Sequence, residues 1–143
     1  MKKIRVLPDQ YVFNQGEEGD SAFLVLSGTL NAEINGKTVG KIEEGEIFGE
    51  LSLILGQNRK ASIKAIIPSE IIEIKKNALE AILLSSNIEL HKVIKNISEE
   101  LGKSEGHRLP VTLSDLKKLV EGSPDVIRAL ALQLHYRLSK MIF

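Results

Sequence analysis

The chain is 143 residues long, 43% hydrophobic, with 19 basic and 19 acidic side chains and a formal net charge of zero at pH 7. That length builds one core of ordinary size with a modest appendage, and the absence of cysteine removes disulfides and thiolate metal sites. Lys and Arg against Asp and Glu stand 13 to 16 over residues 1–106 and 6 to 3 over residues 107–143, which suits contact between parts of the chain or between subunits and falls short of the basic stripe of a nucleic-acid binder.

The longest apolar runs, residues 51–56 and 127–134, are short or interrupted, so neither a signal peptide nor a membrane span is expected and the cytoplasm is the expected location.

From Ile4 to Lys75 the chain reads as short β-rich runs punctuated by glycine, opening at Lys3-Ile4-Arg5-Val6. Asn35-Gly36 is a two-residue hairpin signal between strands at 30–34 and 38–42. Gly45 breaks the next run, and Pro68-Ser69 turns between strands at 62–67 and 70–74. Many short strands at this spacing predict a barrel or sandwich, here an antiparallel jelly-roll-like β-roll.

After Lys76 the period becomes helical. Leu79, Ile82 and Leu83 suit a short helix, and Leu90, Val93, Ile94, Ile97 and Leu101 form a stripe that ends at Gly102, Gly106 and Pro110. Thr112 or Ser114 can cap a further helix, and Ser123-Pro124 supplies an N-cap and first-turn proline for the last one. The two helical pairs register at an offset of 37 residues, Leu79 on Leu116, Leu83 on Val120, Leu90 on Ile127 and Ile97 on Leu134. In the last helix Ile127, Leu130, Ala131, Leu134 and Leu138 make one face, while Ala129, Leu132, Tyr136 and Phe143 make a second. A helix apolar on two sides needs two partners. The fold class is therefore α+β: the β-roll with its C-terminal helices over residues 1–104, and over residues 105–143 a helical hairpin that packs on the domain or mediates oligomerisation.

The most informative segment is Phe48-Gly49-Glu50-Leu51-Ser52-Leu53-Ile54-Leu55-Gly56-Gln57-Asn58-Arg59-Lys60-Ala61-Ser62-Ile63. A glycine turn delivers a carboxylate onto the first turn of a short apolar helix, and an arginine returns nine residues later. The first-turn N–H groups, from Leu51 and Ser52, have no intrahelical partner and favour an anion. Arg59 adds a permanently charged fork that suits phosphate oxygens. Glu50 would be repelled by a phosphate and is better matched to a hydroxyl donor, and Gly49 lets the backbone approach closely. Together these residues suit a small phosphorylated ring.

This spacing resembles the phosphate-binding cassette of the cyclic-nucleotide-binding domain family, which includes the catabolite activator proteins and the regulatory subunits of cyclic-AMP-dependent protein kinase. The resemblance extends over residues 6–104. Upstream, Phe13-Asn14-Gln15-Gly16-Glu17-Glu18-Gly19-Asp20-Ser21-Ala22-Phe23-Leu24-Val25-Leu26-Ser27-Gly28 looks like the family's first barrel turn and strand. The resemblance implies ribose binding by Glu50, phosphate binding by Arg59, backbone donation by Leu51 and Ser52, and a hydroxyl near the ligand at Ser62. Phe48, Gly49, Asn58, Lys60 and Ala61 complete the expected ligand-binding set. Ser52 stands where alanine is frequent, Asn58 where proline is frequent. Lys60 replaces the threonine often found in members that favour cyclic GMP, and lysine offers the guanine amino group no acceptor, so cyclic AMP is the expected ligand, without a further cofactor.

Three other readings compete. His91, His107 and His135 all follow the barrel, which removes the histidine set of a cupin-like metalloenzyme; each reads as a surface or helix-packing residue. No nucleophile–base pair or triphosphate loop is visible, so no enzyme activity is expected. Residues 112–138 can be threaded onto a helix-turn-helix of a catabolite-activator-like transcription regulator, but Glu121 occupies the turn and the recognition helix opens on Asp125, which is poor chemistry for base readout. A ligand-free interaction module is opposed by the retention of Glu50 and Arg59, neither of which a β-roll requires. The sequence is thus identified as a cyclic-nucleotide sensor in which the helix near residues 87–104 covers the base, as in similar proteins, and signals to a homodimer mate or a partner protein through residues 87–143.

Overall fold

The computed structural model describes residues 1–85 and 87–143. The chain divides into two compact units, Met1–Ala78 and Leu79–Phe143.

The first unit carries eight strands: β1 (Lys2–Val6), β2 (Tyr11–Phe13), β3 (Ser21–Ser27), β4 (Thr29–Ile34), β5 (Lys37–Glu43), β6 (Ile47–Phe48), β7 (Ser62–Ala65) and β8 (Ser69–Lys75). They form two four-stranded sheets, ordered β1-β8-β3-β6 and β2-β7-β4-β5, with every pairing antiparallel. Alternation fixes which side chains turn inward. Val6, Phe23, Val25, Phe48 and Ile71 of one sheet and Leu30, Ile42, Ile63 and Ala65 of the other form one apolar cluster. This is the expected β-roll.

Asn35 and Gly36 take positive φ values of 53° and 79°, the mirror-image turn that a two-residue hairpin needs. The strand predicted over residues 62–67 is shorter than its composition suggests. It ends at Ala65: the Ile66 amide still donates to the Thr29 carbonyl of β4 at 2.9 Å, but β4 begins there, the register sets Gly28 with φ 95° opposite Ile67, and Ile66 and Ile67 are exposed. A six-residue helix α1 (Glu50–Leu55) joins β6 to β7.

Helix α2 (Lys76–Ser85) follows β8 without a loop. In the second unit come α3 (Ile88–Leu101), α4 (Leu113–Leu119) and α5 (Asp125–Ile142), with α3 and α4 each packed on α5 and on one another. Asn87 caps α3 by accepting from the Glu89 amide at 2.7 Å, and Thr112 caps α4 by accepting from Asp115. The predicted Ser123 cap of α5 moves by one residue: Pro124 is the N-cap, with ψ 149°, and makes no side-chain cap bond. The offset of 37 residues is reproduced by the element starts, Lys76 against Leu113 and Ile88 against Asp125.

The predicted inner face of α5 is buried throughout at Ile127, Leu130, Ala131, Leu134 and Leu138, whereas Tyr136 and Phe143 on the second face are exposed. His135 is buried and its Nε2–H donates to the Val111 carbonyl at 2.9 Å, a helix-packing role. No helix among the described residues is long and apolar enough to cross a membrane.

If the two faces of α5 are correctly told apart, Leu134→Ala will destabilise the helical unit by about 2–5 kcal/mol. Tyr136→Ala will change it by no more than about 0.5 kcal/mol. Denaturant titration followed by circular dichroism makes the comparison, and equal losses would refute the assignment.

Candidate functional site

The segment that the sequence singled out is anchored in the core at one end. Ile47 and Phe48 are buried, and the Phe48 ring stacks on Phe23 at 5.2 Å, so Phe48 is a core residue that positions the glycine turn and helix α1. The chain turns at Gly49, with φ 80°, runs through α1 and leaves it at Gly56, with φ 65°. Both angles favour glycine. At Gly49 there is a second reason, since a Cβ would lie 2.7 Å from Arg59 Nη1 and 3.3 Å from the Phe13 ring. Six residues carry little macrodipole, so what α1 offers an anion is local, the amides of its first turn, which no side chain caps.

Arg59 is the centre of the arrangement. Its backbone is clamped to the β2–β3 loop by two bonds of 2.7 Å, the Arg59 amide to the Glu17 carbonyl and the Gly16 amide to the Arg59 carbonyl. The side chain turns inward and is only 5% exposed. Nη1 donates to the Gly49 carbonyl and Nη2 to the Ser21 carbonyl, each at 2.7 Å. Cζ stands 4.0 Å over the Phe13 ring. On another side lies Gly19, where a Cβ would overlap Cζ and Nε. The third nitrogen, Nε, is buried with no hydrogen-bond partner among the described residues.

Burial pushes the Arg59 pKa down, while the charges of Asp20, Glu50 and Glu17 oppose that shift. A buried guanidinium surrounded in this way keeps its charge because its pKa starts so high. Arg59 also has a structural duty, which the sequence reading did not anticipate. Its side chain ties the turn before α1 to the first residue of β3, 38 positions away.

Glu50 is also buried, at 1% exposure, and its charge contributes to the field at Arg59. Ser52 is buried, Leu51, Ala61 and Ser62 are half-buried, and Asn58 and Lys60 are exposed. The Ser62 oxygen accepts from the Gln15 amide at 2.8 Å, so it is held by the β2–β3 loop and keeps its hydrogen and one lone pair. Sequence reasoning missed Phe13, Gly19 and Ser21 as walls of this site. The paired glycines at 16 and 19 were the available signal, read only as turn residues. A cleft of about 240 Å³ beside α1 is lined by Glu18, Gly19, Ser52, Gln57 and Asn58 among others, smaller than the usual small-molecule pocket.

A family model for the cyclic nucleotide-binding domain matches residues 3–86, more than half of the chain. The chain is 30% identical over 96 residues to the cGMP-dependent protein kinase egl-4 of Caenorhabditis briggsae, a match covering 67% of this chain and 13% of the kinase. It therefore spans about one eighth of that relative's length. Among solved structures it is similar to the cAMP-bound form of the EAL enzyme Bd1971, with TM-score 0.62 and 24% identity over 70% of this chain and 28% of that one. The cGMP-bound form of the same enzyme gives TM-score 0.63. The structure of Sp-2Cl-cAMPS bound to PKAR CBD2 gives TM-score 0.58 and 26% identity over 73% of both chains.

The structural duty of Arg59 is measurable without any ligand. Arg59→Ala should lower the stability of the first unit by about 1–3 kcal/mol, the range for lost hydrogen bonds to a charged group. Urea unfolding of nucleotide-free protein checks this, and an unchanged midpoint would show that the inward guanidinium ties nothing.

Proposed function

Because the chain belongs to the cyclic nucleotide-binding domain family, we propose that it binds a cyclic nucleotide in the cradle of residues 48–62 and passes that event to its helices. The observation that carries this reading is the Arg59 Nε–H, a buried donor with no partner among the described residues, in a slot walled by glycine. Buried donors are rarely left unsatisfied without a reason, and an anionic oxygen is the acceptor that suits this one. The exocyclic phosphate takes Nε–H and the amides of Leu51 and Ser52. The Glu50 carboxylate accepts from the ribose 2'-hydroxyl. Lys60, exposed and without an acceptor, gives guanine no advantage, so cyclic AMP binds at least as tightly as cyclic GMP.

The chain catalyses nothing itself in this reading; its output is conformational. Lys76, the first residue of α2, is tied to the loop that holds Arg59: its amide donates to the Asp20 carbonyl at 3.0 Å, and the neighbouring Ser21 carbonyl accepts from Arg59. A ligand that competes for Arg59 has different contacts in the two positions of that segment, and only such a difference shifts an equilibrium. The partner that reads the change is a second copy or another protein, engaged through residues 87–143, where Tyr136 and Phe143 are exposed.

A second reading, a ligand-free interaction module, is favoured by the structural duty of Arg59, which gives that residue a reason to persist without a phosphate. Calorimetry of protein freed of co-purified nucleotide separates the two. The binding reading predicts saturable heat with cyclic AMP, a loss of about 10- to 100-fold in Arg59→Ala, and for Glu50→Ala a larger loss with cyclic AMP than with its 2'-deoxy analogue. No heat with either cyclic AMP or cyclic GMP selects the interaction module.

A further inference from the structure

Phe13 ends β2, and its ring is shared between two neighbourhoods. On the core side its centroid lies 5.9 Å from those of Phe23 and Phe48. On the site side it carries the Arg59 guanidinium at 4.0 Å. The two carbonyls of Gly49 and Ser21 fix where the Nη atoms of that guanidinium lie, but two acceptors alone leave its plane free to tilt about the line joining them. A ring on one side and the bare backbone of Gly19, which has no room for a Cβ, remove that freedom. A cation over an aromatic face is also attracted to it, more so where water is excluded.

We propose that Phe13 is a positioning residue for phosphate recognition, setting the plane of Arg59 so that its Nε–H meets an incoming anionic oxygen edge-on. The proposal rests on the cyclic-nucleotide reading above. Leucine at position 13 would fill most of the same core volume without presenting a π face, and tyrosine would keep both.

Two measurements on the full chain test it. In nitrogen-edited NMR of the nucleotide-free protein, the Arg59 Nε–H is expected to exchange slowly and to lie upfield from the ring current. Phe13→Tyr should retain both properties and Phe13→Leu should lose the upfield shift. By calorimetry, Phe13→Leu should bind cyclic AMP about 3- to 30-fold more weakly, Phe13→Tyr should stay within about 2-fold of wild type, and Phe13→Leu in an Arg59→Ala background should add no further loss. The same loss in that background would mean general core damage and overturn the proposal. So would an unshifted, fast-exchanging wild-type Nε–H, a reading that stands even if Phe13→Leu fails to fold. A wild type that binds neither cyclic AMP nor cyclic GMP overturns the binding function itself, whatever the resonance shows, whereas normal binding with an unshifted resonance overturns only the role of Phe13.

Discussion

Taking a guanidinium out of water is costly unless donors and charge are largely met elsewhere. Arg59 leaves water almost completely, and the first unit is arranged around that fact. Two carbonyls come to its Nη atoms, two backbone bonds clamp its own peptide to the β2–β3 loop, a phenylalanine face lies under it, and a glycine backbone lies against it. Carboxylates at positions 17, 20 and 50 stand near enough to hold its charge against desolvation. The turn at Gly49, the start of β3 and the entry to β7 therefore meet at one cation.

In the proposed function this arrangement joins stability to recognition. The bonds that keep Arg59 folded inward are the ones that a phosphate must leave in place or replace. A site of this kind is largely preformed, which lowers the ordering cost of binding, and any shift of Arg59 is felt first by the Asp20–Ser21 pair. That pair also holds the first amide of α2 and, through the Ser21 hydroxyl, the Glu73 carboxylate at 3.1 Å. The segment between barrel and helices is thus tied to the same cation.

Much of this was legible in the sequence wherever the cause is local. Asn35-Gly36 announces its hairpin because few residues tolerate two positive φ values in succession. The cassette helix is bounded by Gly49 and Gly56 for a similar reason, and the buried stripe of α5 follows from period alone. The early end of β7 was not legible, because Ile66 and Ile67 have strong strand composition and the limit is set by the partner strand, which begins at Thr29 opposite Ile66. Nor was the inward turn of Arg59. The sequence shows a cation at a suitable spacing, but not that its partners are backbone carbonyls at positions 21 and 49, to which no residue type points. Phe13 and Gly19 were hidden likewise, as ordinary members of a strand and a turn.

Gly19 gives the most direct test of the claim that the fold and the anion site share one guanidinium. Its φ lies outside the left-handed region, so alanine is acceptable to the backbone, and the three atoms nearest its methyl group all belong to Arg59. The decisive measurement is the unfolding free energy of Gly19→Ala, taken with Arg59 present and again in an Arg59→Ala background. The account predicts a loss of about 1–3 kcal/mol in the first case, the usual cost of overpacking, and none in the second. An equal loss in both backgrounds, or none in either, would contradict it.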